Sequence, residues 1–262
     1  MYPVLFSFDF FGFPLVVHSY GALIALGALS GFTYASVAAK RQLGISSSTM
    51  QGLARTIIIA AFVGGKALFY LENPGFYFFP PSNMFHNFRT GFVFYGSLLF
   101  VIPSVIVYFR KYKLPVMPML DIMAIAGLII HTFGRMGCFM AGCCFGKPTS
   151  GPVYVQFTHA DTVAPLNEHL HPTQLYSVAL LLCILIVLLM FKRHKRFEGQ
   201  LFFIYIMLYA IGRGIIEIFR GDISRGYIIE DVLSHSQLVS LILLAGVGWV
   251  YAHFSKKRER IL

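Results

Sequence analysis

Runs of about twenty predominantly apolar residues recur seven times along this chain, near residues 14–38, 51–71, 91–109, 115–137, 172–191, 199–219 and 236–254. A helical run of that length matches the hydrocarbon thickness of a bilayer. Inside a bilayer, only helices and closed barrels satisfy their own backbone hydrogen-bonding groups. The expected fold class is therefore all-α and polytopic, with seven transmembrane helices in a single integral membrane domain over residues 1–262. Composition excludes the alternatives. A charged fraction of 12% is about half that of a soluble domain, and 57% hydrophobic with 16% aromatic content is foreign to a disordered chain. No basic residue precedes the first run, which is also too long for a signal-peptide core, so it is expected to be retained as a helix.

A net charge of +10 would suggest nucleic acid in a soluble protein, but here the basic residues sort by loop. Lys40 and Arg41; Arg110, Lys111 and Lys113; Lys192, Arg193, Lys195 and Arg196; and Lys256, Lys257, Arg258 and Arg260 occupy alternate connections and the C-terminal end. The intervening loops carry only Arg89, Arg135, Lys147, Arg220 and Arg225. The positive-inside rule then places the N-terminus outside and the C-terminus in the cytoplasm, consistent with an odd helix count. The basic charge serves orientation and contact with anionic membrane lipids, with no nucleic-acid partner. Two outer segments, near 72–90 and 138–171, have room for small extramembrane elements. The first, rich in Phe and Tyr, reads as an interfacial anchor. In the second, partial alternation over Tyr154–Thr158 allows a short strand.

Besides Arg135 at the end of the fourth, five charged residues fall within the expected spans: Arg55, Lys66, Asp121, Arg213 and Glu217. A charge at mid-bilayer costs about 2.5–3.5 kcal/mol even on insertion scales, so each needs a partner, a polar cavity or an ionic substrate. Arg55, one turn from the inner end of its helix, is expected to snorkel. Lys66, in GGKALFY, is deeper, and its bland explanation is an ion pair with Asp121 or Glu217. In GRGIIEIFRGD, Arg213, Glu217 and Arg220 share one helical face. This trio is either an Arg213–Glu217 salt bridge with Arg220 at the water boundary, or an anion site. In the second case guanidinium groups grip a phosphate in two-pronged fashion and Glu217 orients them. Arg135, at the outer end of the fourth span, adds another guanidinium and favours the phosphate site.

The glycine-rich stretch GRMGCFMAGCCFG holds Cys138, Cys143 and Cys144. Adjacent cysteines rarely bond each other, so Cys138 with either neighbour is the plausible disulfide. Zinc held by three thiols with His131 or His171 is a rival, but the spacing fits no common zinc template. Simple packing of small residues is the third reading. Disulfide and packing together outweigh metal, and Cys183 reads as apolar core. His18, Tyr20, Tyr95, Ser97, His131, His171, Gln174, Tyr176 and Gln237 also lie in or beside the spans. Several are level with the arginines and would line a cavity opening to the outer leaflet.

In order along the chain, HSYG (His18–Gly21), GGKALFYLEN, YGSLL, the GR-x-G segment at Arg135, HPTQLYS, RGIIEIFRGD and SQLVSL together resemble the prolipoprotein diacylglyceryl transferase family over most of its length. The Cys-rich signature is similar to a divergent branch of that family. The resemblance implies a seven-helix enzyme of the bacterial inner membrane. Such an enzyme moves the diacylglyceryl group of phosphatidylglycerol to the thiol of a lipobox cysteine beside a prolipoprotein signal peptide and releases glycerol phosphate. It also implies that Arg135 is the signature arginine, that Arg213, Glu217 and Arg220 match functional positions near the sixth helix, and that Tyr20 matches a functional tyrosine. His171, Gln174 and Tyr176 fall in the HPSQLYE-like motif. Lys66 stands where an arginine is usual and Ser177 where a glutamate is. Tyr95, Gly96 and Ser97 replace HGG, while Cys138, Ala141 and Cys143 replace two asparagines and a glutamate.

The chemistry so implied needs a thiolate nucleophile, and a thiol with pKa near 8.5 is only slightly ionised at neutral pH. Arg135, Arg213 and Arg220 are expected to bind the lipid phosphate, together with Glu217, Tyr20, Lys66, His171, Gln174 and Tyr176. Arg135 and Arg213 are also expected to stabilise the leaving group. The proton acceptor is expected among Tyr95, His131 and Glu217, with Tyr95 or His131 in a relay. The scheme requires no metal or cofactor. The rival readings are a lipid-binding protein or transferase with another acceptor on the same scaffold, and a thiol redox protein using Cys138, Cys143 and Cys144.

Overall fold

The computed structural model of the chain describes residues 2–10, 13–80, 82–86, 88, 91–221, 227–229 and 233–259. Of the expected outer-loop cations, Arg89 and Arg225 lie outside the described residues, as does Arg260 near the C-terminus. The protein is an all-α polytopic membrane protein. Seven helices are long and apolar enough to cross a bilayer: α1 (Ser19–Leu43), α2 (Ser47–Glu72), α5 (Phe94–Lys111), α6 (Val116–Ala141), α7 (Thr173–Phe191), α8 (Gln200–Ile218) and α9 (His235–Glu259). Two short helices, α3 (Pro74–Phe78) and α4 (Ser82–His86), fall within the Phe- and Tyr-rich outer segment. There the Tyr77 ring packs between Phe69, Tyr70 and Phe76, with ring centroids at 5.2, 5.3 and 5.0 Å.

The element ends differ from the apolar runs for local reasons. The first run was expected to start near residue 14, but α1 starts at Ser19 because β1 (Val4–Phe10) and β2 (Phe13–His18) form an antiparallel hairpin. The alternating Phe6, Phe8 and Phe10 with the β-branched Val16 and Val17 suit extended backbone. Ser19 then closes the hairpin, its N–H donating to the Pro3 carbonyl at 2.9 Å and its hydroxyl to the Tyr2 carbonyl. α2 starts where Ser46 caps it, its Oγ accepting from the Thr49 N–H at 3.2 Å. A second, short hairpin joins β3 (Tyr227–Ile229) to β4 (Leu233–Ser234) just before α9.

Two compact units divide the chain, Met1–Ala35 with Leu120–Leu262, and Ser36–Met119. In the second unit, α2 and α5 approach backbone to backbone. A β-carbon on either Gly64 or Gly96 would fall 2.3 Å from the other residue's carbonyl oxygen, so this crossing requires glycine on both sides. Polar side chains fasten the pair at both ends, with Ser97 Oγ donating to the Ala61 carbonyl at 2.8 Å and Tyr108 OH to the Thr49 carbonyl at 2.8 Å.

In the first unit α1 lies on α6 through Gly27 and Gly31, four residues apart, which face Phe133 and Ile130. Ala124, Ile125 and Leu128 of α6, Leu181, Ile184 and Leu188 of α7, and Leu201 of α8 form the buried core. Many other apolar side chains face outward, such as Leu29 at 64% and Trp249 at 73% exposure, as lipid contact requires.

Asp121 is not the partner of Lys66. Its carboxylate accepts from the Gly199 N–H at 2.9 Å, the Phe202 N–H at 3.2 Å and the Lys195 ammonium at 3.3 Å. It thus caps the start of α8 from a neighbouring helix and satisfies donors that a helix N-terminus leaves orphaned. Just outside the spans, Lys195 lies between Asp121 and Glu198. Burial acts against its charge, but the two carboxylates win and raise its pKa. Asp121→Ala is expected to lower the stability of the detergent-solubilised protein by about 3 kcal/mol, because it strands these donors in a buried place. Asp121→Asn, which keeps one acceptor oxygen, is expected to cost less. Thermal unfolding of both variants checks the order.

Candidate active site

The C-terminal end of α6 is closed by a turn that the glycine pattern requires. The Cys143 N–H returns to the Cys138 carbonyl at 3.1 Å and the Gly142 N–H to the Phe139 carbonyl at 3.3 Å, the two bonds of a Schellman cap. Gly142 takes φ +67° and a β-carbon there would meet Thr162 at 2.7 Å, so only glycine fits. Cys144 follows in the same left-handed region, at φ +60°. These two reversals bring Cys143 and Cys144 back over Cys138, so that the three sulfurs lie within 4.8 Å of one another. None of the four cysteines is in a disulfide, and Cys183, expected to be core, is exposed on α7.

The loop beyond this turn is stitched to two other helices. Gly146 N–H donates to the His171 carbonyl at 3.1 Å, and Lys147 N–H to the Phe219 carbonyl at 2.9 Å. A bridge pairs Gly146 with Arg220. A β-carbon on Gly146 would lie 2.5 Å from His171, and one on Gly221 would lie 2.6 Å from the Gly146 carbonyl oxygen. The strand expected at Tyr154–Thr158 is reduced to single bridges, Val155 with Leu170 and Phe157 with Leu166, around a small core of Phe157, Ala164 and Leu170. At the start of α7, Thr173 Oγ1 donates to the Cys144 carbonyl at 2.8 Å and Gln174 Nε2 to the Cys143 carbonyl at 2.7 Å.

This crossing gathers the cationic residues. Arg135, half-buried on α6, donates from Nε to His131 Nε2 at 3.3 Å, one helical turn back. The His131 ring lies against Tyr209, with centroids at 5.2 Å, and within electrostatic range of Arg213. Arg213 is ion-paired to Glu217 and donates from Nη2 to Ser236 Oγ at 3.1 Å. Arg220 is buried at the end of α8, within electrostatic range of Arg213 and of Cys144. Arg135 also acts on Cys144 and on Tyr20, whose ring covers Gly137.

Among the thiols outside the spans, Cys144 is held below the usual range. Its sulfur takes the Cys138 and Cys143 S–H groups, and Arg220 and Arg135 add to the effect. The same sharing, with Cys138 first and Cys144 next, pushes Cys143 up.

The sequence-expected site residues therefore separate into groups. Tyr20, His131, Arg135, Arg213, Glu217 and Arg220 form one polar network in the first unit. His171 and Tyr176 pair with each other, ring nitrogen Nδ1 to hydroxyl at 3.2 Å, and both pack on Phe219. Gln174 holds the cysteine turn. In the second unit Lys66 is buried among the rings of Phe69, Tyr70 and Phe88, at 5.4, 5.7 and 5.3 Å, and Glu217, its other expected partner, is taken by Arg213. Tyr95 is 74% exposed at the start of α5, beside Phe94. Ser236 was not singled out as a site residue. The signal for it was its place at the head of SQLVSL, which carried no chemistry until Arg213 was seen to reach it.

Comparison with known proteins fits this geometry. A family model described as prolipoprotein diacylglyceryl transferase matches residues 3–252. The chain belongs to the prolipoprotein diacylglyceryl transferase family. It is 36% identical over 251 residues to the phosphatidylglycerol–prolipoprotein diacylglyceryl transferase of Clostridium tetani, covering 93% of this chain and 94% of the relative. Similar relatives of the same name occur in Clostridium perfringens, 30% identical with 95% and 94% covered, and in Dehalococcoides mccartyi, 31% identical with 98% and 95% covered. With seven spans and this family, the protein is a multi-pass inner-membrane protein.

The glycines at the crossing give a direct check. Gly146→Ala and Gly221→Ala each force backbone apart and are expected to cost about 2 kcal/mol and to speed proteolysis of the segment 142–172. Gly214→Ala, with open space at its β-carbon, is expected to be silent. Thermal unfolding and limited proteolysis of the three variants decide it.

Proposed function

We propose that this protein transfers the diacylglyceryl group of phosphatidylglycerol to the lipobox cysteine thiol of a prolipoprotein, with release of glycerol phosphate. The single observation that carries the reading is the gathering of Arg135, Arg213 and Arg220, three guanidinium groups near the ends of α6 and α8, with Glu217 ion-paired to Arg213. Guanidinium groups gathered at the edge of a bilayer suit an anion, and a lipid phosphate is the anion a bilayer supplies.

In the reaction the lipobox sulfur attacks the glyceryl carbon next to the phosphate ester oxygen. A carbon–sulfur bond forms, the carbon–oxygen bond breaks, and the electron pair leaves on the phosphate. Guanidinium groups already in place stabilise that charge without reorganising at the moment of reaction. Glu217 fixes the Arg213 fork, and Ser236 holds another of its nitrogens. His131 accepts from Arg135 at Nε2, so it acts as a positioning residue for Arg135, leaving the terminal amino groups of that guanidinium for phosphate. The thiol proton passes to one of the expected acceptors, Tyr95, His131 or Glu217. The site faces the outer leaflet, where the alternation of basic loops sets it. The acceptor's apolar signal helix enters from the side.

Purified protein with phosphatidylglycerol and a lipobox peptide is expected to release glycerol phosphate only when both are present. Arg135→Ala and Arg213→Ala are each expected to lower turnover about a hundredfold or more. Release without peptide would point to another acceptor. Release unaffected by either arginine would overturn the phosphate-site reading.

A further inference from the structure

We propose that Cys138, Cys143 and Cys144 form a binding site for a thiophilic metal cation, zinc being the test ion, which stiffens the outer turn of α6 and is separate from the chemistry of transfer. Around a zinc ion with bonds of about 2.3 Å, thiolate sulfurs stand about 3.8–4.0 Å from each other. The three sulfurs here already lie within 4.8 Å, so closing on an ion needs movements of about 1 Å or less. Thiolates select soft cations such as zinc and copper(I) over magnesium or calcium.

The frame that holds the ligands is rigid. Cys138 belongs to the last turn of α6, Cys143 is fixed by the Schellman bond to the Cys138 carbonyl, and Cys144 is set by its left-handed backbone. The carbonyls of Cys143 and Cys144 are pinned by Gln174 and Thr173 of α7. Such fixed outer partners orient ligands and raise affinity. The charge also balances. Three thiolates around a divalent cation carry one net negative charge, and Arg135 and Arg220 both lie within electrostatic range of Cys144. A fourth coordination position is left for water or another small ligand. Gln174, 1% exposed, brings a further hydrogen-bond acceptor to the cysteine turn. Its Oε1 has no hydrogen-bond partner among the described residues, while Nε2 of the same amide is bonded to the Cys143 carbonyl.

The test uses the full chain in detergent, reduced, stripped with a chelator and titrated with cobalt(II), whose thiolate charge-transfer band reports sulfur ligation. Zinc should then displace the cobalt, and elemental analysis should find one ion bound per chain. The band is expected in wild type and Cys183→Ser and to be lost in Cys138→Ser, Cys143→Ser and Cys144→Ser. Because a serine variant can misfold, a second measurement uses wild type alone. Zinc should protect three thiols from maleimide while Cys183 stays reactive, as counted by mass spectrometry. Copper(I) binding that protects the same three thiols would support the same site with a different soft ion. No charge-transfer band, equal binding by the triple serine variant, or a disulfide among the three cysteines in protein isolated without reductant would each overturn the proposal.

Discussion

A guanidinium placed within a membrane-spanning helix must find a counter-charge, and much of the first unit around the C-terminal ends of α6 and α8 is arranged around meeting that demand. Arg213 meets it with Glu217 one turn further on, a contact in which both side chains are about nine-tenths buried. Removing either partner alone would strand a charge where water cannot reach it, a loss of about 3–5 kcal/mol for buried pairs. Arg135 is held by His131 in a different way, its Nε donating to the ring nitrogen Nε2. Arg135, Arg213 and Arg220 gathered together, with Glu217 fixing the Arg213 fork, are the feature that suits a phosphate.

The arginines gather because backbones come very close where the loop after α6 meets the end of α8. Gly146 and Gly221 let the loop after α6 cross the end of α8, which brings Arg220 beside Cys144. Gly142 turns the chain so that the cysteines fold back on their own helix. The same glycines that make the site possible leave no space for a side chain, so the local sequence is constrained by approach distance as much as by chemistry.

The seven spans and the clustering of Arg213, Glu217 and Arg220 were legible in the sequence because apolar length and helical spacing are local signals. The N-terminal hairpin was not, since its strand β2 runs straight into α1 and a run of apolar residues does not announce where extended backbone gives way to helix. The partner of Asp121 was also hidden. Three donors from the start of α8 and the loop before it reach Asp121 over more than seventy residues of sequence, and no spacing rule encodes that. Lys66 shows the converse case. The expectation paired it with Asp121 or Glu217, but Lys195 and Arg213 engage those two acids, and the Lys66 ammonium lies over the faces of three rings. For the cysteines, the absence of a familiar spacing argued against a ligand set, but Gly142 and Cys144, the left-handed residues on either side of Cys143, gather the sulfurs in a way that spacing templates for regular loops do not describe.

The central claim is that Glu217 acts through Arg213 to hold a lipid phosphate. The most direct test is a double-mutant cycle on phosphatidylglycerol affinity, measured in nanodiscs of zwitterionic lipid with wild type, Glu217→Gln, Arg213→Ala and the double variant. The account predicts that Glu217→Gln weakens binding in wild type and adds little once Arg213 is gone, a coupling of about 1–3 kcal/mol. Independent, additive losses, or tighter binding by Glu217→Gln, would contradict it.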